Sequence, residues 1–206
     1  MGFYAERVVP RIVNVACATK STELLRRRVC EGLTGEVVEI GFGSGHNVPL
    51  YPAAVSAVSA VEPSDLGWKL AGDRVAATSI PVQRAGLDGQ SLPFEDSSFD
   101  AALSTWTLCT IPDAAAALRE LRRVLKPGGT LHFVEHGLAP EEDENVRRWQ
   151  RRLDPLEKRL FAGCHLTRPI VDLVTTAGFT VTELDVFYDG APKPMVAISL
   201  GTAASP

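Results

Sequence analysis

The chain lacks paired cysteines, any excess of positive charge and any long apolar run, and each absence excludes a class of protein. Four cysteines stand at 17, 30, 109 and 164 with no C-x-x-C pair among them. Neither a zinc ribbon nor a disulfide framework is expected, and a reduced cytoplasm is the expected compartment. The formal net charge is −4. Clustered positive charge supplies most of the affinity for phosphate backbones, so nucleic acid is not an expected partner. No stretch reaches the roughly 20 apolar residues of a spanning helix. The best, Val8 to Ala18, is broken by Pro10, Arg11 and Asn14. No apolar block at the amino terminus reads as a signal peptide, and an integral membrane segment is not expected.

What is present describes one soluble domain over residues 1–206. Hydrophobic residues make up 45% and charged residues 22% of 206 positions. A chain this long removes roughly 70% of its extended surface from water, enough for a layered core without staples. Glu36–Ile40, Ala57–Glu62, Ile80–Arg84, Phe99–Ser104 and Thr130–Glu135 read as strands. Asp113–Lys126 reads as a helix, with Leu118, Leu121 and Leu125 on one face, Lys126 at the dipole's negative end and Pro127-Gly128-Gly129 as its stop. Strand–helix alternation implies a doubly wound parallel sheet. Thr167 is placed to cap a helix through Ala177. The strands Phe179–Tyr188 and Met195–Leu200 follow, joined by too few residues for a crossover, so the last strand should run antiparallel. The expected architecture is α/β, with seven strands. Residues 1–33 read as two flanking helices. Residues 141–161 read as a lid-like helix whose apolar stripe is Trp149, Leu153, Leu156 and Leu160.

The first strand ends in Glu39-Ile40-Gly41-Phe42-Gly43-Ser44-Gly45-His46. Its glycines let the backbone turn tightly and a ligand approach closely. A dinucleotide fingerprint would need glycine at 46, where this chain has histidine. Glu39 beside the loop would repel a pyrophosphate but could hold an ammonium group, directly or through water. Glu62 closes the second strand at the spacing where a carboxylate accepts from ribose hydroxyls, with Pro63 starting the next turn. Asp88 follows the third strand and can accept from an adenine amine. Amine, ribose and adenine together describe S-adenosylmethionine (SAM) rather than a nicotinamide cofactor.

With these residues in view, the chain resembles class I SAM-dependent methyltransferases. Val38–Gly45, Val61-Glu62-Pro63, Asp88–Asp100 and Leu118–Gly129 match successive motifs of that class in order. The resemblance implies a Rossmann-like sheet and SAM as cofactor. It assigns Gly41, Phe42 and Gly43 to the methionine part, Glu62 to the ribose, Leu87, Asp88 and Gly89 to the adenine, and Thr105 to the sulfonium end. Tyr4, Val134-Glu135-His136 and Phe161–Arg168 are similar to the thiol S-methyltransferases and their bacterial relatives. This implies methylation of a small, mainly apolar molecule, with a thiol first. A phospholipid head group or quinone precursor is the alternative acceptor, and a non-catalytic SAM-binding protein is the alternative of another class. The animal thiol enzymes carry an N-terminal hydrophobic anchor that this sequence lacks.

A thiol acceptor needs modest help to lose its proton, which a histidine supplies. His136, at the carboxyl end of the fifth strand, and His165, in Gly163-Cys164-His165, are the catalytic candidates. His46 lines the pocket, and His132 reads as packed within its strand. Cys109 and Cys164 read as small buried hydrophobes, and no metal is expected. The sequence leaves the oligomeric state open.

Overall fold

The computed structural model describes residues 9–160 and 163–206, so Tyr4 and Phe161 lie outside the described residues. Two helices lead in, α1 (Val9–Ala16) and α2 (Lys20–Cys30). Thr19 caps α2, its hydroxyl accepting the Thr22 N–H at 3.2 Å. The core then runs β1 (Gly35–Ile40), β2 (Val55–Val61), α3 (Asp65–Ala77), β3 (Val82–Gly86), β4 (Phe99–Thr105), α4 (Ala114–Val124), β5 (Leu125–His136), α5 (Glu144–Leu160), α6 (Ile170–Thr176), β6 (Thr180–Tyr188) and β7 (Ala197–Ala204).

All seven strands form one sheet in the order β3-β2-β1-β4-β5-β7-β6. The first five are parallel, and β7 runs antiparallel to both β5 and β6. The doubly wound, mostly parallel sheet expected from the sequence is therefore present. Alternate residues of a strand face opposite sides of a sheet. Val38, Ile40 and Ala102 thus pack with Leu118, Leu121 and Val174 from α4 and α6. Val37, Ala101 and Leu103 pack with Val29 and Ala71 from α2 and α3. Burial on both faces is why these strands read as continuous apolar runs. The order reverses between β1 and β4, and the crevice at such a switch point is where open α/β sheets bind ligands.

Three local expectations are corrected. First, α4 stops at Val124, because Leu125 is already extended and begins β5. Lys126 does not serve the helix dipole; its Nζ reaches Asp100 at 2.6 Å. Second, Thr167 does not cap α6. Its N–H and hydroxyl both donate to Asp154 Oδ1 at 3.2 Å. Third, α5 begins at Glu144 and turns the other way. Trp149 and Leu156 of the apolar stripe are 53% and 56% exposed, whereas Gln150 and Asp154 are buried. Polar bonds, more than apolar contact, set its orientation. Gln150 Oε1 accepts the Ala139 N–H at 2.9 Å, and its amide donates to the Gly137 carbonyl at 3.0 Å. Among the described residues no helix is long and apolar enough to cross a membrane.

A buried side chain that satisfies several backbone groups leaves them all unpaired when removed. Gln150→Ala should cost about 2 kcal/mol, lowering Tm by about 4–8 °C, as checked by thermal unfolding.

Candidate active site

The glycine-rich loop leaves β1 on top of a buried polar network. Glu39 has no exposed surface. Its Oε1 accepts from Asn47 Nδ2 at 2.8 Å, and its Oε2 accepts the Tyr51 hydroxyl. Asn47 Nδ2 also donates to Thr105 Oγ1 at 3.1 Å. Arg26, buried on α2, sends Nη1 to Asn47 Oδ1 and Thr105 Oγ1, both at 2.8 Å. Its guanidinium lies 4.8 Å from the Trp106 ring centre, close enough for a cation–π contact. Burial pushes the Glu39 carboxyl up to about 7, against the pull of Tyr51, Asn47 and Arg26. Both oxygens are engaged, and the carboxyl braces the loop from below.

Above this brace the loop is shaped by tight approaches. Gly41 has φ +65°, and a Cβ there would stand 2.0 Å from Thr107 Oγ1. Gly43 has φ +58°, but its Cβ would meet nothing nearer than 3.8 Å, so the loop keeps open space on that side. Gly45 is buried against Ala71 of α3. The Phe42 ring is buried beside Trp68, with centroids 5.4 Å apart. Its side chain packs into the core against α3. His46 Nε2 donates to the Asn14 carbonyl at 3.1 Å, tying α1 over the loop. Burial and the charges of Arg26 and Arg74 push this imidazole down to about 4, so it is neutral.

The β2 and β3 ends carry the remaining cofactor candidates. Glu62 Oε2 accepts the Gly43 N–H at 2.6 Å, and Oε1 accepts the Ser64 N–H at 2.7 Å. Its carboxyl is raised by burial, partly offset by those two donors and Arg84. Pro63 beside it is exposed. Leu87 is 61% exposed. Asp88 is also exposed, and its Oδ1 accepts from the Gln90 backbone N–H at 2.9 Å and from Nε2 at 3.1 Å. Gly89 lies against Ile40 and Ile111. Thr105 is buried, with its hydroxyl taken by Arg26 and Asn47. The next residue, Trp106, holds φ at +50°, a left-handed conformation that bulky residues rarely adopt outside functional sites.

Among the described residues, two buried polar side-chain atoms have no partner, Arg26 Nε and Asn14 Oδ1. A donor and an acceptor left open suit the carboxylate and ammonium of an amino-acid moiety. Glu62 and Asp88 suit ribose and adenine. The residues present fit SAM.

A second set of buried contacts joins loops far apart in sequence. Glu135 is buried, and its Oε1 accepts the Ser104 hydroxyl at 2.7 Å and the Thr107 N–H at 3.0 Å. Its Oε2 accepts the Cys109 N–H at 3.2 Å. Arg168 Nη1 donates to the Leu108 carbonyl at 2.7 Å and to that of Ile111. The His165 N–H donates to the Cys109 carbonyl at 2.9 Å, and that backbone bond stitches the Gly163-Cys164-His165 turn onto the loop after β4.

The stitching brings Cys109, Cys164 and His136 together. Their sulfur and ring nitrogen atoms all lie within 4.8 Å of one another. Both cysteines are buried, as expected, but the expectation of two separate hydrophobes is corrected, because they form one polar cluster. His136 is half-buried, its ring set edge-on to Trp106 with centroids 6.3 Å apart. The Cys109 thiol, His136 and Arg168 hold the Cys164 thiol below the usual thiol range. His165 stays outside the cluster. Its imidazole is lowered by burial and by the charges of Arg168 and Lys158, with Asp154 acting the other way. His132 is a core residue, bonded to the Val29 carbonyl at 3.0 Å. Tyr4 lies outside the described residues. Sequence reasoning missed Arg26, Asn47 and Tyr51; Asn47 and Tyr51 follow the glycine loop closely, but nothing marked Arg26.

A family model described as a methyltransferase domain matches residues 38–133. Thiol S-methyltransferase TMT1A from Homo sapiens is 32% identical over 181 residues, covering 84% of this chain and 72% of that protein. The chain belongs to the class I SAM-dependent methyltransferases, and SAM is its cofactor. Thiol S-methyltransferase TMT1B from Rattus norvegicus is 33% identical over 75% of this chain, which spans only 65% of that relative. Shorter stretches match enzymes of other substrates. A demethylmenaquinone methyltransferase from Mycolicibacterium paratuberculosis is 40% identical over 47% of this chain and 44% of its own. A phosphatidylethanolamine N-methyltransferase from Cereibacter sphaeroides is 30% identical over 57% of this chain and 60% of its own. A SAM-dependent methyltransferase structure from Aquifex aeolicus shares the fold, with TM-score 0.64, 17% identity and coverage of 96% and 98% of the two chains.

Two outcomes test this site. The folded protein holds the Glu39 proton up to about pH 7, whereas an ordinary carboxyl releases it near 4.5. The stability this confers is fully present below the unfolded value and is lost as pH rises through about 7. Denaturant unfolding of the cofactor-free protein at pH 5 and pH 8 should show a fall on the order of 3 kcal/mol from this group, absent in Glu39→Gln. Separately, Glu62→Ala should weaken SAM binding by about 1.5–3 kcal/mol in calorimetry, the loss expected for a hydrogen-bonded charged group.

Proposed function

We propose that the enzyme methylates the sulfur of a small, mainly apolar thiol. The observation that carries this reading is the reach of the similarity to the thiol S-methyltransferases. It extends over 84% of the chain for TMT1A, well beyond residues 38–133. The quinone and phospholipid enzymes match about half of the chain. The acceptor-side loops and α5, which choose the substrate, are included in the longer similarity.

SAM, when bound, supplies a methyl group already activated on a sulfonium sulfur. The chain's own work is therefore to position and deprotonate. Arg26 and Asn14 hold the amino-acid end, Glu62 the ribose, and Leu87, Asp88 and Gly89 the adenine edge. Gly41 and Gly43 let the backbone come close. Trp106 and His136 border the acceptor, and His136 favours its thiolate. Helices α1 and α5 act as covers, α1 through its bond to His46 and α5 through Glu157, whose carboxyl feels both Cys164 and His136. With free cysteines and a net charge of −4, the setting is cytoplasmic and the acceptor is a small molecule rather than nucleic acid.

Labelled methyl transfer to a panel of thiols, amines, phenols and quinols tests the reading. Turnover is expected on apolar thiols. Turnover of quinols or amino-phospholipids with no thiol among the products would overturn the acceptor while leaving the methyltransferase. His136→Ala should lower the thiol rate on the order of 100-fold, as loss of a group that favours the thiolate does, with SAM affinity kept. His165→Ala should change the rate far less, since its ring lies outside the cluster.

A further inference from the structure

We propose that Cys109, Cys164 and His136 form a binding site for a Zn²⁺ ion whose fourth position takes the acceptor thiol. The second half of this proposal rests on the thiol reading above; the first half does not. Two sulfur atoms and an imidazole nitrogen within 4.8 Å of one another make a three-ligand set suited to zinc. Catalytic zinc sites pair three protein ligands with one open position, and structural sites close all four. Among the described residues, no fourth histidine, cysteine or carboxylate joins this group. The site would be of the open kind.

The surroundings are those of a held site rather than a chance meeting. The ligands come from three separate segments, the loop after β4, the end of β5 and the turn before α6. Glu135 fixes the Cys109 segment through its N–H at 3.2 Å. Arg168 grips the same loop through the Leu108 carbonyl. The His165 N–H to Cys109 carbonyl bond at 2.9 Å joins the second cysteine's turn to it. Groups that orient ligands in this way matter to metal affinity almost as much as the ligands themselves. Access follows from burial. Cys109 and Cys164 are 1% and 6% exposed, whereas His136 is half-buried, so an ion would be reached from the side that Trp106 borders. That is also the side where the acceptor is placed.

The chemistry balances without any redox partner. On coordination the acceptor thiol's S–H bond breaks, its proton leaves to solvent, and the sulfur keeps the electron pair that binds the ion. Cations lower the pKa of bound thiols strongly enough to deprotonate them outright. The two protein thiols release their own protons in the same way when the ion enters.

The test uses the full chain, reduced, stripped of metal with a chelator and then titrated with Zn²⁺ against a chromophoric competitor. One equivalent should bind. Cys109→Ser, Cys164→Ser and His136→Ala should each weaken binding by about 100-fold or more, since loss of an outer-shell partner alone costs roughly 10- to 100-fold. Calorimetric SAM binding identifies variants that remain folded, and Cys109→Ala serves where Cys109→Ser does not. Co²⁺ in place of Zn²⁺ should give thiolate-to-metal charge transfer and tetrahedral visible bands, and adding benzyl mercaptan should shift those bands. Binding as tight in the Cys109→Ser/Cys164→Ser double variant, or no saturable binding in the wild type, overturns the site. Visible bands unmoved by the thiol overturn the open fourth position. Zn²⁺ binding without thiol turnover would sustain the metal site and defeat the thiol reading; full thiol turnover by the metal-free enzyme would sustain the thiol reading and overturn the ion's hold on the acceptor.

Discussion

The buried contact between Arg26, Asn47, Glu39 and Thr105 is the constraint on which the site depends. It joins a helix that precedes the sheet, the end of β1, the glycine loop and the end of β4. These are the two strands flanking the topological switch point, so the network fixes the crevice itself. Each polar group in it is satisfied largely by another, which makes the arrangement cooperative and intolerant of single deletions. The cationic Arg26 sits close enough to temper the buried carboxyl of Glu39, yet burial still dominates and raises it. The loop therefore rests on a carboxyl whose charge changes near neutral pH.

A second carboxylate repeats the device two strands over, on β5. Glu135 gathers Ser104, Thr107 and Cys109 around the segment after β4, as Glu39 gathers Tyr51 and Asn47 around the glycine loop. Between them Trp106 is forced to positive φ. Such a conformation costs on the order of 1–3 kcal/mol and persists where its surroundings over-determine it. Here the surroundings are named: the Trp106 N–H bonds the Val134 carbonyl, and its ring faces Arg26 and His136. The indole thus lies between the Arg26 network and the cluster of Cys109, His136 and Cys164.

Much of this was legible in the sequence, and the division has physical reasons. The strands and the reversed final strand are written in short-range patterns, apolar runs, turn residues and connection lengths. The glycine loop, Glu62 and Asp88 are legible because backbone approach and ribose recognition demand particular residues at fixed spacing from a strand end. Arg26 was not legible as a site residue. It lies in a run of three arginines that reads as a solvated face, and only tertiary packing turns one of them inward. Helix α5 misled for the converse reason. Its apolar stripe is real, but Gln150 and Asp154 bind backbone and loop groups, and those bonds outweigh the burial of Trp149 and Leu156. The cluster of Cys109, Cys164 and His136 was invisible because its members are distant along the chain and share no motif.

This division also bears on how one sheet can serve different acceptors. The glycine loop, Glu62 and Asp88 lie within the segment that the methyltransferase domain model matches, while Arg26, which braces the loop through Asn47, precedes it. The acceptor half depends on residues beyond that segment, His136, Cys164, Arg168 and α5, held against the loop after β4 by a few long-range bonds. Substituting those outer segments would change what is methylated while leaving the network under the glycine loop untouched. Loops carried on a rigid sheet are where substrate choice is varied most cheaply in stability, because they contribute least to the core. The similarity to quinone and phospholipid enzymes over the shared half, and to the thiol enzymes over most of the chain, follows from that separation. Trp106, in contact with both Arg26 and His136, is the residue that links the two parts of the crevice.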